Sequence, residues 1–439
     1  MRDPNPMPMR AVLFGAAIFV AVPNLAGAEN LSRIYEQART SDPQFQQAIA
    51  DRNAREELLP QAQAGLKPDV SLTSSYDAND NRNTDDQFQT LSYGVSLTQP
   101  LYRYSRSQTV DQAGAQVREA RADFEFAEQE LILRVAERYF AVLDAREALD
   151  AAEANLEAIR RQLDQAEQRF EVGVIARTDV EEARARADLA RAERLQAEDD
   201  LASRREELRE LTDRAPAQLD SLRADVSLTA PEPENPGEWR EQAEDQNRQL
   251  AAAEFAAKAA MEQVDVQRGG RLPSADLVAG YNRSRNYNND SIERETNQLS
   301  AGVELNFPLY QGGEVSSKIR EAQFRYTEAR EALEETRRTV ARNAADAYRG
   351  VQTALERVHA LDQALVSTRA ALEATEAGFE VGTRTIVDVL NAQRELFDAE
   401  RDYAQARNAY LVNTLRLRQA AGTLSEADLE RVNALLGES

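Results

Sequence analysis

Apolar residues recur every seven positions along two long stretches of the chain, 106–171 and 314–380. In the first stretch the repeat shifts by four residues from Leu131 to Val135, and the second makes the same shift after Val340. A strict seven-residue repeat predicts a helix in a left-handed supercoil, and an inserted four predicts local unwinding. Each helix would reach roughly 100 Å at about 1.5 Å per residue, more than twice the thickness of a bilayer.

Both predicted long helices run into a short Val-Gly motif, after which another helical pattern begins. Glycine relieves the backbone where a helix must stop, so each motif predicts the tip of a helical hairpin. Gly173 and Gly382 lie 209 residues apart, which indicates a tandem duplication. The tips are 172–177, with Val172, Gly173 and Val174, and 381–384, with Val381, Gly382 and Thr383; helices 178–212 and 385–421 follow.

The duplication divides the chain into two repeats joined by a connector. In each repeat the two short helical stretches total 69 residues, close to the length of one long helix. We therefore expect a wall in which one continuous helix packs beside two stacked ones; a plain coiled-coil rod would explain the heptads equally well. The expected divisions are a first repeat 29–212 opening with helix 29–62, a proline-containing connector 213–237, a second repeat 238–421 opening with helix 238–269, and a tail 422–439.

Four further segments alternate apolar and polar residues, which the rod does not explain. Strands of about ten residues with an apolar outer and a polar inner face are typical of membrane β-barrels, although a soluble half-buried sheet alternates in the same way. Long polar hairpin loops, 77–87 and 282–297, favour the barrel. Because four strands cannot close a barrel and lipid does not tolerate an open edge, we expect an oligomer. The predicted strands are 66–78, 89–102, 273–284 and 296–310.

Composition and charge narrow the possible functions. The 439 residues carry a net charge of −23, which argues against nucleic acid as a partner. The chain has no cysteine and one histidine, His359, which we interpret as an inert helix-surface residue, so no catalytic constellation or cofactor site is expected. Residues 1–28 read as a signal peptide cleaved after Ala28, with an apolar run too short to span a bilayer.

Taken together, these motifs resemble the TolC family of outer membrane factors. The resemblance covers nearly all of the chain after residue 28 and includes both Val-Gly tips, the duplication, and two Pro-Leu-Tyr junctions. It is strongest over 381–390 and continues through 420–424. Four prolines mark the predicted junctions between strands and helices: Pro68, Pro100, Pro273 and Pro308.

The resemblance implies a fold and a function. The fold would be an α+β membrane protein: a homotrimer with four strands per chain, one twelve-stranded barrel in Gram-negative outer-membrane lipid, and a coiled-coil tunnel in the periplasm. The connector and the tail would form an equatorial belt. The function would be that of a non-enzymatic exit duct for efflux pumps and type I secretion, working with a periplasmic adaptor and an inner-membrane pump or ABC transporter. Cargo stays undetermined.

The resemblance also assigns roles at the tips. It implies a periplasmic gate at Thr178, Asp179, Phe379 and Arg384, and a constriction ring at Asp388, where cations could block the pore, and Asn391. Adaptor hairpins would dock at the two tips. Phe379 stands where the family has a tyrosine, and Asn391 where it often has an aspartate, so we expect a weaker lock and a lower affinity for cations.

Local helix capping offers a second interpretation of the same residues. Thr178-x-x-Glu181 reads as a capping box, and Thr385-x-x-Asp388 reads as a close variant. The negative charges of Asp179 and Asp388 would also be favourable in the first turns of their helices.

For the whole protein, a coiled-coil spacer and an autonomous diffusion porin also stay open as alternative functions, whereas an enzyme is not expected. A spacer predicts no conductance, and a porin predicts high conductance without partners.

Overall fold

The computed structural model describes residues 29–81, 86–216, 218–223, 225–288 and 291–437. The predicted signal peptide, 1–28, lies outside the described residues. Ten α-helices and six strands are present in the described part. The helices are α1 Leu31–Ser41, α2 Pro43–Glu56, α3 Leu58–Ala64, α4 Tyr104–Glu171, α5 Arg177–Thr212, α6 Pro236–Gln246, α7 Arg248–Arg268, α8 Glu314–Glu380, α9 Ile386–Ala420 and α10 Glu426–Asn433.

The two long helices, α4 and α8, are continuous over 68 and 67 residues. Each packs along its length against a stack of shorter helices, α4 against α2, α3, α5, α7 and α9, and α8 against α6, α7 and α9. The heptad residues Leu131, Val135 and Val142 are buried on α4, and Val351 and Val358 are buried on α8. The apolar stripe thus holds the helices together side by side.

The predicted opening helices, 29–62 and 238–269, are each broken, which corrects the prediction. Asp42 ends α1 and caps α2, its carboxylate accepting from the backbone N–H of Phe45 at 3.1 Å, with Pro43 at the first helical position. Asn247 ends α6 and caps α7 in the same way, accepting from Leu250 N–H at 3.2 Å. A side chain that satisfies the free N–H groups of a new helix lowers the cost of these two breaks, whereas the further break at Glu57, between α2 and α3, has no side-chain cap.

The four long strands form one antiparallel sheet in the order β1-β2-β4-β5. Alternation places exposed apolar side chains on one face; Leu72, Val95, Tyr281 and Leu299 form one such row across all four strands and are 43–81 % exposed. Among the described residues, β1 and β5 each pair with one strand, so both sheet edges are open. The strands are β1 Asp69–Asn81, β2 Asp86–Arg103, β4 Ser274–Asn288 and β5 Ser291–Asn306, with β3 at Ser221–Leu222 and β6 at Leu436–Gly437.

The strand limits differ from those predicted, 66–78, 89–102, 273–284 and 296–310. The expected long loops 77–87 and 282–297 are largely paired backbone, because the ladders continue to Asn81↔Asp86 and Asn288↔Ser291. Backbone N–H and C=O groups can pair whatever side chains they carry, so the strands run past the end of the apolar alternation. The apolar alternation therefore locates the strands, and it does not mark the strand ends.

The prolines predicted at the strand–helix junctions occupy two kinds of position. Pro68 and Pro273 immediately precede β1 and β4, and Pro308 follows β5. Pro100 lies inside β2, which continues to Arg103, and the register of β2 against β4 shifts between Pro100 and Tyr102. Proline cannot donate a ladder hydrogen bond, so an irregularity is expected where it enters a paired strand.

The largest apolar core lies around the middle of α4, near Tyr139 and Phe140. The connector and the tail meet there, because β3 pairs antiparallel with β6. Tyr139 donates its hydroxyl to the carbonyl of Asp220 at 2.7 Å, and Trp239 is buried and donates its indole N–H to Pro233 at 2.8 Å. These contacts fix the connector against the helical wall.

Candidate functional site at the helical tips

The two tips have the same backbone geometry, although they lie in different repeats. At the first, Gly173 adopts a φ of 77° and Val174 N–H donates to Arg169 C=O at 2.9 Å. At the second, Gly382 adopts a φ of 78° and Thr383 N–H donates to Gly378 C=O at 2.8 Å. Both are Schellman turns, in which a left-handed glycine lets the chain satisfy the last helical carbonyls. Val172, Val174 and Val381 are 70–75 % exposed beside them.

A cleft of about 310 Å³ separates the α4–α5 hairpin from the α8–α9 hairpin next to the tips. Its lining combines apolar side chains with the predicted gate residues Asp179 and Phe379. Arg169 crosses the cleft and places its guanidinium 5.0 Å from the centroid of the Phe379 ring. The two hairpins of one chain are therefore joined here by a cation–π contact, without the tyrosine hydroxyl that the family pattern would supply.

Asp388 forms a capping box with Thr385 at the start of α9, as the capping interpretation predicted. Its carboxylate accepts from the backbone N–H of Thr385 at 2.8 Å and from the Thr385 hydroxyl at 2.8 Å. These hydrogen bonds from Thr385, backbone first, hold the pKa of Asp388 below its ordinary value, and Arg384 adds a smaller effect. The carboxylate is therefore ionised and already engaged locally.

The capping box predicted at Thr178 and Glu181 is wrong. Helix α5 begins one residue earlier, at Arg177, with Ala176 at the cap position and no side-chain cap. Thr178 instead lies 3.5 Å from the Asp179 carboxylate, as a weak donor. A threonine inside the first turn cannot cap the turn to which it belongs.

Asp179 and Arg384 do not meet within one chain. Among the described residues, no ion pair within 4.0 Å joins them. Arg384 folds against the last turn of α8, where a Cβ on Gly378 would lie 2.8 Å from its Cγ. Gly378 therefore provides the space in which the Arg384 side chain lies.

Asn391 is held by a contact that the sequence did not reveal. Arg186 on α5 donates to the Asn391 side-chain oxygen at 2.9 Å, and one turn further Arg394 on α9 donates to Glu193 on α5 at 3.2 Å. With the Arg169–Phe379 contact, these hydrogen bonds link the two hairpins in the part of the described helices nearest the tips. In the sequence, the only sign of these links is that each contains an arginine in the helices next to the tips. Which residue each arginine contacts depends on how the two hairpins pack.

No helix among the described residues has the length and apolar character needed to cross a membrane. In the same part of the chain, no group of three or more His, Asp or Glu side chains could hold a metal ion.

Comparison with known proteins identifies the family. The profile of the family described as "Outer membrane efflux protein" matches the chain twice, over residues 34–214 and 239–423. The chain belongs to the outer membrane efflux protein family. It is 38 % identical to outer membrane protein TolC of Vibrio cholerae, over 96 % of this chain and 97 % of that protein. It is 30 % identical to the alkaline protease secretion protein AprF of Pseudomonas aeruginosa, over 96 % and 90 % of the two chains.

The fold recurs in solved structures of outer membrane channels. The Campylobacter jejuni CmeC outer membrane channel superposes with a TM-score of 0.79 at 15 % identity, over 93 % of this chain and 89 % of that one. The predicted family, the α+β fold with an internal duplication, and the Gram-negative outer-membrane location are thereby confirmed. The chain is an outer-membrane efflux channel that works with efflux or secretion machinery.

Proposed function

We propose that three copies of this chain form a passive exit duct that is closed at the helical tips and opened by a periplasmic adaptor. The main observation in support of this proposal is that both edges of the four-stranded sheet are open among the described residues. An apolar-faced sheet with unpaired edges is not viable in lipid, and pairing β1 of one copy with β5 of the next would close it. The long helices would then continue the barrel as a tunnel of roughly 100 Å.

The closed state would rest on links within and between chains. Within one chain, Arg169, Arg186 and Arg394 tie the α4–α5 hairpin to the α8–α9 hairpin. Asp179 and Arg384, which do not meet in one chain, would pair across the boundary between neighbouring copies. Opening would break both sets of links, and the exposed valines at the tips would be the surface on which the adaptor hairpins dock.

Asp388 would line the constriction, one carboxylate from each copy. Within one chain the hydrogen bonds from Thr385 lower the pKa of Asp388, whereas several like charges close to a symmetry axis repel one another and favour a bound cation. Divalent or trivalent cations would therefore block the pore. The duct would serve an inner-membrane pump or ABC transporter, which would select the cargo.

Single-channel conductance in planar bilayers tests the proposal. Wild-type protein should show a small conductance that rises sharply in Arg384→Ser. The matched control is Arg161→Ser, because Arg161 is exposed on α4 and, among the described residues, forms an ion pair only with Glu157 one turn away at 3.2 Å. A large wild-type conductance unaffected by Arg384→Ser would indicate a porin, and silence in every variant would indicate a spacer.

A further inference from the structure

Two arginines lie on the lipid-facing side of the sheet, which is unexpected for an acidic chain. On β4, Leu277, Ala279 and Tyr281 share one face, and strand alternation places Arg283 and Arg285 on that same face. The register agrees: Arg283 stands beside Tyr93 of β2, and Arg285 stands beside Leu91. Both arginines are on the half of the sheet towards the hairpins, away from the helices.

Their height matches the edge of the membrane. From Ala275 to Arg285 the strand advances ten residues. At about 3.4 Å per residue and a tilt near 45°, this is roughly 24 Å along the bilayer normal, and the apolar band of such barrels is about 25 Å tall. Tyr76, Tyr93 and Tyr281 surround the arginines and are 45–61 % exposed, as expected of an aromatic girdle at the interface. Arg285 therefore lies at headgroup level, and Arg283, two residues lower on the strand, lies roughly 5 Å below it.

Their charge is only partly compensated. Glu295 on β5 pairs with Arg283 and also lies 3.5 Å from Arg285, so two guanidinium groups share one carboxylate among the described residues. The Nε atoms of both arginines are buried without a hydrogen-bond partner there, while their side chains remain 39 % and 34 % exposed. The pair thus sets two guanidinium groups against one carboxylate among the described residues, on side chains that are partly exposed.

We infer that Arg283 and Arg285 bind the phosphate group of a lipid headgroup in the outer leaflet. Arginine offers paired N–H donors that match phosphate oxygens, and the girdle places the acyl chains of the same lipid against Leu299 and Val95. Glu295 holds the two guanidinium groups side by side and competes with the phosphate for them. The site rests on the outer-membrane location of the sheet and does not depend on the gate.

Lipid retention measures the site directly. Detergent-solubilised trimers would be incubated with phosphatidic acid or with diacylglycerol, which has the same acyl chains but no phosphate and should not be retained, and the retained lipids counted by native mass spectrometry. Arg283→Gln and Arg285→Gln should each weaken phosphatidic acid binding about fivefold, because a basic residue near a lipid surface contributes about 1 kcal/mol. Arg285→Lys should retain most of the binding, and Glu295→Gln should strengthen it.

Arg294 provides the matched control. It is on β5 opposite Asn286, at the same height, but alternation places it on the other face of the sheet. Equal losses in Arg294→Gln and Arg285→Gln would mean non-specific attraction and would overturn the inference, as would no loss in either arginine variant. Displacement of phosphatidic acid by 10 mM inorganic phosphate would reassign the site to a soluble anion. Circular dichroism and trimer size would show that each variant is folded, and conductance would report the duct separately.

Discussion

Arg169 lies with its guanidinium 5.0 Å from the centre of the Phe379 ring, joining the last turn of α4 to the last turn of α8. This contact connects the tips of the two repeats, one from each half of the duplicated chain. This interaction needs only the face of the ring and no hydroxyl group. In the proposed gate, which we expected to be weak at Phe379, the ring therefore has Arg169 as a partner.

Phe379→Leu should loosen the closed state. An exposed cation–π contact contributes about 0.5–1 kcal/mol, so the ratio of open to closed dwell times should rise about two- to fivefold in planar bilayers. Phe379→Tyr keeps the ring and should stay at or below the wild-type ratio. A Leu variant as closed as the wild type would show that the contact does not hold the gate.

Asp388 has two possible functions, in the capping box and in the constriction, and two substitutions separate them. Asp388→Asn removes the charge but keeps an oxygen that can cap α9, whereas Asp388→Ala removes both. If the charge binds blocking cations, both variants should lose the block by hexaamminecobalt(III) in bilayer recordings. Block that survives in Asn but not in Ala would instead point to the helix start.

The lowered pKa of Asp388 also predicts how the block depends on pH. Because the pKa of Asp388 in the folded chain lies below the ordinary value of 3.8, the carboxylate is charged at every pH above that value. The stability that the capping box contributes is lost only as the pH falls through the lower pKa of the folded chain. The blocking affinity should therefore be constant between about pH 5 and pH 8. A titration midpoint within that range would show that repulsion between the carboxylates of the ring outweighs the hydrogen bonds from Thr385.

Asp144 should make the tunnel wall sensitive to pH. Burial between α4 and α9 raises its pKa to about 6, despite a hydrogen bond from Asn408 at 2.8 Å and with a smaller contribution from Glu147. The folded chain holds this proton more tightly than an unfolded chain with the ordinary value of 3.8. The resulting stability is full below that value and lost as the pH rises through about 6.

Asp144→Asn should accordingly stabilise the protein at pH 8 and change little at pH 4. The gain should be of order 1–3 kcal/mol, since one pKa unit corresponds to about 1.4 kcal/mol. Thermal unfolding across pH measures it. Asp150→Asn is the control on the same helix, because the Asp150 side chain is 61 % exposed; a pH-dependent gain in both variants would exclude Asp144 as the source.

Substitutions of the tip glycines, Gly173 and Gly382, distinguish their role in turn geometry from their proposed role in adaptor docking. Nothing lies within 4 Å of a Cβ placed on Gly173 or Gly382, but both adopt a positive φ. Asparagine tolerates that conformation, so Gly173→Asn and Gly382→Asn should keep most export activity. Gly173→Trp and Gly382→Trp should abolish export while native gels still show trimers. Export that survives both tryptophan variants would place adaptor docking elsewhere.

Sequence patterns predicted the features that repeat along the chain. Heptads and the two glycine tips located α4, α8 and their hairpins, because each signal is local and occurs twice. The breaks at Asp42 and Asn247 were missed because one capping residue interrupts a helix without disturbing the apolar stripe, although Asp42-Pro43 was a readable signal. The apolar alternation found all four long strands but not their ends.

The contacts between hairpins could not have been predicted in this way. Arg186 and Asn391 are 205 residues apart, and their meeting depends on the rotation of α5 against α9. Many arginines on these helices pair instead with a carboxylate one turn away, as Arg161 does with Glu157. From residue type and spacing alone, each arginine would be expected to pair with a carboxylate one turn away on its own helix. Only the packing of the helices shows which arginines contact the other hairpin.

Helices α4 and α8 have nearly equal lengths, 68 and 67 residues, so the two tips lie at nearly the same distance from the sheet. Inserting one heptad into α4 alone would move the Gly173 tip about 10 Å past the Gly382 tip. The links from Arg169, Arg186 and Arg394 would then lose their partners together. The span that such a chain can bridge can therefore change only in steps of seven residues, made in every helical layer at once.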